Sequence, residues 1–182
     1  MMCRDFLLQP YPGKGLSIPI DIKGSIERSF DRLSISYQLQ GKLQDILIPE
    51  VEKTPSRRSG LWEGTCFELF LAREGSNQYR EFNLSPAGHW NVFSFSDYRQ
   101  SMREEKRYQS LPFRVQKTEN SFLLRLNFHL DEKIRERNLD AGVSAVIKTS
   151  DGKSTYWSLA HTAARPDFHA RDSFIISLPN SR

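Results

Sequence analysis

Apolar and polar residues alternate along most of the chain with a period of two, the pattern of strands that bury one face. In DRLSISYQLQG, residues Leu33, Ile35, Tyr37 and Leu39 alternate with Ser34, Ser36, Gln38 and Gln40, and Gly41 ends the run. Just upstream, Ile18, Ile20 and Ile22 share a face. Pro19 within that run lacks a backbone donor, so it predicts an edge strand or a strand start. TCFELFLAR puts Phe67, Leu69 and Leu71 on one side and Cys66, Glu68 and Phe70 on the other. EGSN (Glu74–Asn77) then predicts a turn, QYREFNLS a strand, SPAGHW a second turn and HWNVFSFSD a third strand, so the three strands form a meander. Further strands are predicted in LPFRVQKT, SFLLRLNFHL, GVSAVIKTS, STYWSLAH and DSFIISLP, with a hairpin turn at Ser150–Ser154.

Helix is scarce. LDEKIRERNL predicts one short helix, capped by Asp131, with Leu130 and Ile134 facing inward. Arg99–Gln109 has room for another turn or two. About eight to eleven short strands separated by turns predict an all-β sandwich or barrel. No internal repeat and no low-complexity linker interrupts the chain, so its 182 residues are expected to form one domain, 1–182. The longest connection, PEVEKTPSRRSGLWEG (Pro49–Gly64), carries a tryptophan and enters the Cys66 strand, and loops of that length are often functional.

Composition narrows the function classes. Aromatic residues reach 12%, which suits packing on pleated surfaces. The net charge of +4 is mild, and basic residues are interleaved with acidic ones, as in RQSMREEKR. No nucleic-acid partner is therefore expected, since such binders cluster their basic residues. The apolar run Phe6–Leu8 is too short for a secretory signal or a membrane span, so a cytoplasmic protein with no membrane partner is expected. Cys66, inside an apolar strand, is expected to be a buried, reduced thiol, and with Cys3 the only other cysteine no disulfide framework is expected. No Gly-x-Ser-x-Gly, P-loop or dinucleotide-binding pattern occurs, so nothing demands catalysis and no cofactor is expected.

Polar residues inside apolar strands are the candidate chemistry. Glu68 sits mid-strand, where its carboxylate is able to accept short, strong hydrogen bonds from a ligand hydroxyl or to face solvent. Tyr79, Glu81 and Asn83 share a face, and a hairpin with the Glu68 strand would bring Glu81 beside it. Trp62 in its loop is a candidate to stack on a ligand, Trp90 is either a second ring or core, and Trp157 is expected in the core. HTAARPDFHARDSF holds His161, Asp167 and His169. Their spacing lacks helical or cysteine-pair metal geometry. The preferred expectation is that they structure the loop, with Asp167 accepting backbone N–H bonds after Pro166; a metal-assisted hydrolase centred on the three is the alternative.

RSGLWEGTCFELFLA, YREFNLSPAGHWNVFSFSDYR and YWSLAHTAARPDFHARDSFIISL resemble the bacterial DOMON-like domain proteins, similar in turn to family 9 carbohydrate-binding modules, over nearly the whole chain. The resemblance implies an immunoglobulin-like or jelly-roll β-sandwich of two antiparallel sheets with at most one or two short helices. It implies a non-catalytic protein that holds a saccharide or similar small polar ligand with Trp62, Glu68, Glu81 and Asn83, with Trp90 as candidate second ring. Haem-binding relatives use methionine and histidine ligands, for which Met102 is the internal methionine. A protein-interaction module using the same aromatics is a further alternative. The sequence sets no oligomeric state.

Overall fold

The computed structural model describes residues 2–13 and 19–180. Among them the chain forms twelve strands, and consecutive neighbours pair antiparallel. These are β1 (Met2–Pro10), β2 (Ile20–Ser29), β3 (Arg32–Gly41), β4 (Cys66–Arg73), β5 (Tyr79–Leu84), β6 (Trp90–Phe95), β7 (Arg103–Glu104), β8 (Phe113–Lys117), β9 (Ser121–His129), β10 (Leu139–Lys148), β11 (Ser154–Ser158) and β12 (Ile176–Leu178). The meander β4–β5–β6 lies where the alternation predicts it. Pro19 directly precedes β2, which is an inner strand between β1 and β3; Ile18 lies outside the described residues.

The strands follow one hydrogen-bonded path, β7-β6-β5-β4-β10-β11-β1-β2-β3-β9-β8, with β12 added on β10. The joint is β1. Its first part pairs with β2, and its last two residues, Gln9 and Pro10, pair with Ser158 and Trp157 of β11. The path curls so that its halves face each other. Phe67 of β4 stacks on Phe122 of β9 with ring centroids 5.3 Å apart, and Tyr37 of β3 donates its hydroxyl to the Glu68 carbonyl at 2.8 Å. Ile22, Leu33, Leu39, Leu69, Phe82, Val92, Leu124 and Ala145 complete this core. Buried aromatic and aliphatic area of this kind is the main stabilising term.

One strand has no counterpart in the alternation, and one expectation needs correction. The N-terminal residues pair as a full strand although, among its described side chains, only Phe6 and Leu8 are buried, too sparse a pattern to read from sequence. The segment after Leu130 makes turns, not an α-helix. Ile134 and Arg135 both donate to the Asp131 carbonyl, at 3.0 Å each, but the ladder stops at Arg137. One turn does not offset the cost of helix nucleation. The Asp131 carboxylate accepts the Lys133 N–H at 2.9 Å, as a cap would, and also pairs with the buried Arg80 at 2.9 Å. Among the described residues the only helices are three single 3-10 turns, Leu43–Asp45, Leu61–Glu63 and Arg171–Ser173, and none is long and apolar enough to cross a membrane.

Candidate functional site

Strand β4 is buried on both faces. Phe67, Leu69 and Leu71 enter the main core, whereas Cys66, Glu68, Phe70 and Ala72 point outward and are nevertheless covered. The cover is the segment after β11, residues 159–175. Its Phe168 and Phe174 join Phe70, Ala72, Tyr79, Phe93, Phe95 and Val146 in a second apolar cluster. Gly142 of β10 lets Phe174 sit down, because a Cβ there would stand 2.7 Å from the Phe174 ring. Gly142→Ala is therefore expected to cost about 1–3 kcal/mol by overpacking, read as a lower urea midpoint. An unchanged midpoint would mean that the segment yields without strain.

The covering segment is anchored by its polar residues. His161 Nε2 donates to the Gln9 carbonyl at 2.8 Å. Asp167 accepts from the Tyr98 hydroxyl at 2.6 Å, the Arg99 guanidinium at 3.0 Å and the His169 N–H at 3.0 Å. Burial alone would raise the Asp167 carboxyl, but these three donors together hold it below its ordinary range. Arg171 ties the segment to Asp140 at 2.9 Å and to the Ser76 carbonyl at 3.0 Å. The metal alternative is not supported by this arrangement. His161 Nε2 is taken by the Gln9 carbonyl, His169 Nδ1 meets the Tyr79 hydroxyl at 2.8 Å, and among the described residues no group of three or more His, Cys, Asp or Glu side chains is placed to hold a metal ion.

Where the cover stops, the outer face opens into a cleft of about 370 Å³. Its floor holds Glu68 and Glu81, its walls Trp62, Tyr156 and Phe168, and its rim Arg99, Met102 and His169. The carboxyls come from neighbouring strands on one face, since Glu68 pairs with Asn83 and Phe70 with Glu81. Ser144 donates to Glu68 at 2.9 Å, and Asn83 donates to Glu81 at 2.8 Å. Burial pushes Glu68 up to about 8, helped by the Glu81 charge, and the Ser144 bond and Arg99 only partly oppose it. Burial likewise pushes Glu81 up to about 7 against the Asn83 bond and Arg99. His169 goes the other way. Burial, then the Arg99 charge, lowers it to about 4, so the ring is neutral at ordinary pH. Its Nε2 stands 4.0 Å from Glu81 Oε2, beyond hydrogen-bond reach.

Trp62 is 38% exposed, on the 3-10 turn that follows Gly60, and its ring leans edge-on against Phe93 with centroids 5.9 Å apart. Gly60 adopts φ +73°, a conformation that other residues take only with strain. Two expected ligand contacts lie elsewhere. Trp90 is only 6% exposed and packs in the main core under Arg57, 4.3 Å from its ring. It pairs with Leu84 and so shares the inward face, whereas its neighbour Asn91 faces out. Asn83 is fully buried, with its amide spent on Glu81 and its oxygen facing the Cys66 thiol at 3.6 Å, so it positions Glu81 without reaching the cleft. Trp157 is buried in the core. Tyr156, Arg99 and the cleft-lining role of His169 were not found from sequence. Tyr156 alone carried a signal, as an aromatic opposite the Trp157 face of its strand.

No family model and no curated protein matches the chain. Solved structures do. It is similar to a "putative carbohydrate-binding protein" from Bacteroides uniformis, with TM-score 0.66 and 14% identity over 93% of this chain and 83% of that one. It is also similar to a family 9 carbohydrate-binding module from Caldicellulosiruptor kristjanssonii. The structure of that module with cellotriose gives TM-score 0.56 and 8% identity over 88% and 74% of the two chains. The structure with glucose gives 0.53 and 9% over 90% and 78%. At these identities the likeness concerns the fold.

Proposed function

We propose that the protein is a non-catalytic carbohydrate-binding domain whose ligand enters the cleft beside Trp62. One observation carries this reading: a half-exposed indole and two buried carboxyls, from a loop and two strands, converge on one cleft of sugar-ring size. Trp62 stacks on the apolar face of the ring, and Tyr156, 36% exposed on the same cleft, is the second aromatic surface in place of Trp90. Glu68 and Glu81 hydrogen-bond the hydroxyls, and the neutral His169 presents a ring nitrogen at the rim. The fold shared with modules crystallised with cellotriose and glucose supports the same ligand class.

Finer assignments belong to the same proposal. The facing halves of the curled sheet act as the two layers of an immunoglobulin-like or jelly-roll sandwich, supported by the Tyr37, Phe67 and Phe122 contacts. The resemblance of the sequence motifs supports reading the chain as a bacterial DOMON-like protein. Free thiols at Cys3 and Cys66 support a cytoplasmic location.

The test is a glycan array followed by calorimetry on the hits. Trp62→Ala is expected to weaken binding at least tenfold, about 1.4 kcal/mol, with an unchanged circular dichroism spectrum because the side chain lies outside both cores. If the unsubstituted protein binds no saccharide on a broad array, the reading falls.

A further inference from the structure

We infer that the cleft takes a saccharide bearing a positively charged amino group, with the Glu68 and Glu81 carboxyls as the seat of the ammonium. This rests on the saccharide reading above and adds a class of ligand to it.

The charge balance around the floor points there. Glu68 faces Ser144 from β10, Asn83 and Glu81 from β5, and the thiol of Cys66 on its own strand. Its hydrogen-bond partner is the neutral Ser144, and that of Glu81 is the neutral Asn83. The covering segment contributes Asp167 and the neutral His169, and β5 also contributes the phenol of Tyr79. The guanidinium lining the cleft is that of Arg99, and Asp167 already holds it at 3.0 Å. Three carboxyls therefore share one cation. Arg57 is spent on Asn91 at 2.7 Å and on the Trp90 face.

Two buried carboxyls that share a single cation with Asp167 are costly to ionise, so burial favours their protonated forms. An ammonium supplies one of the missing charges and three donors, and one of the two carboxyls then gives up its proton. The walls suit the same guest, because a cation is attracted to the faces of Trp62 and Tyr156. A neutral hexose gives back hydroxyls but no charge.

Calorimetry with glucosamine, N-acetylglucosamine and glucose at pH 7 tests this. Glucosamine is expected to bind at least tenfold more tightly than the other two. Its heat should vary with the ionisation enthalpy of the buffer, reporting proton release. In Glu81→Gln and Glu68→Gln the preference ratio should fall toward one. Glucose binding as tightly as glucosamine would overturn the charge assignment and leave the saccharide reading standing. A glucosamine preference that survives in both variants would overturn it too. Binding of none of the three, together with a blank glycan array, would remove both.

Discussion

At pH 8, Glu68→Gln makes the protein more stable than its parent, by an amount on the order of a few kcal/mol, and near pH 4 the two are alike. The folded carboxyl is raised to about 8 by burial and by Glu81, whereas in the unfolded chain it titrates at its ordinary value near 4.5. Between those values the folded state binds more protons than the unfolded one. Stability therefore falls as pH rises across that window. Glu81 adds the same sign up to about 7. His169 acts in the opposite sense. Its folded value of about 4 lies below the ordinary 6.5, so its contribution rises from pH 4 to 6.5 and is flat above. The interval from 6.5 to 8 thus separates the carboxyl pair from His169. Glutamine keeps an oxygen for the Ser144 hydroxyl and removes the charge. Urea unfolding at pH 6.5 and 8 reads the difference; a parent whose stability does not fall across that interval would show that the floor is wetter than its geometry implies.

Phe67→Ala is expected to lose about 3–5 kcal/mol, because it removes a large ring and leaves a cavity between the facing halves of the sheet. Phe67 is fully buried, stacks within 7° of parallel on Phe122, and touches Tyr37 at a centroid distance of 5.1 Å. Those contacts join β4 to β9 and β3, which are far apart along the hydrogen-bonded path. A broadened transition with a reduced denaturant slope would mean that the halves separate before they unfold. A loss below about 1 kcal/mol would contradict the packing described.

The alternation of side chains decided much of this molecule locally. Period-two runs mark β3, β4, β5 and β6, and parity alone sends Leu33, Phe67, Leu69 and Trp157 inward, because neighbouring residues on a strand point to opposite faces. The convergence of Glu68 and Glu81 on one surface also follows from parity, once the hairpin is granted. Only the tertiary structure decided what happens to the other face of β4. Its cover comes from Phe168 and Phe174, far along the chain, and the Tyr79–His169 bond spans a separation of 90 residues. No local pattern records such contacts. The same applies to Trp62 and Trp90. Both are tryptophans beside polar residues, but one stands on a glycine-led turn and the other is turned inward by its register with Leu84. Residue type and spacing thus determined which groups could do chemistry, while long-range packing decided which of them meet in a space that a ligand can enter, because burial depends on what arrives from elsewhere in the chain.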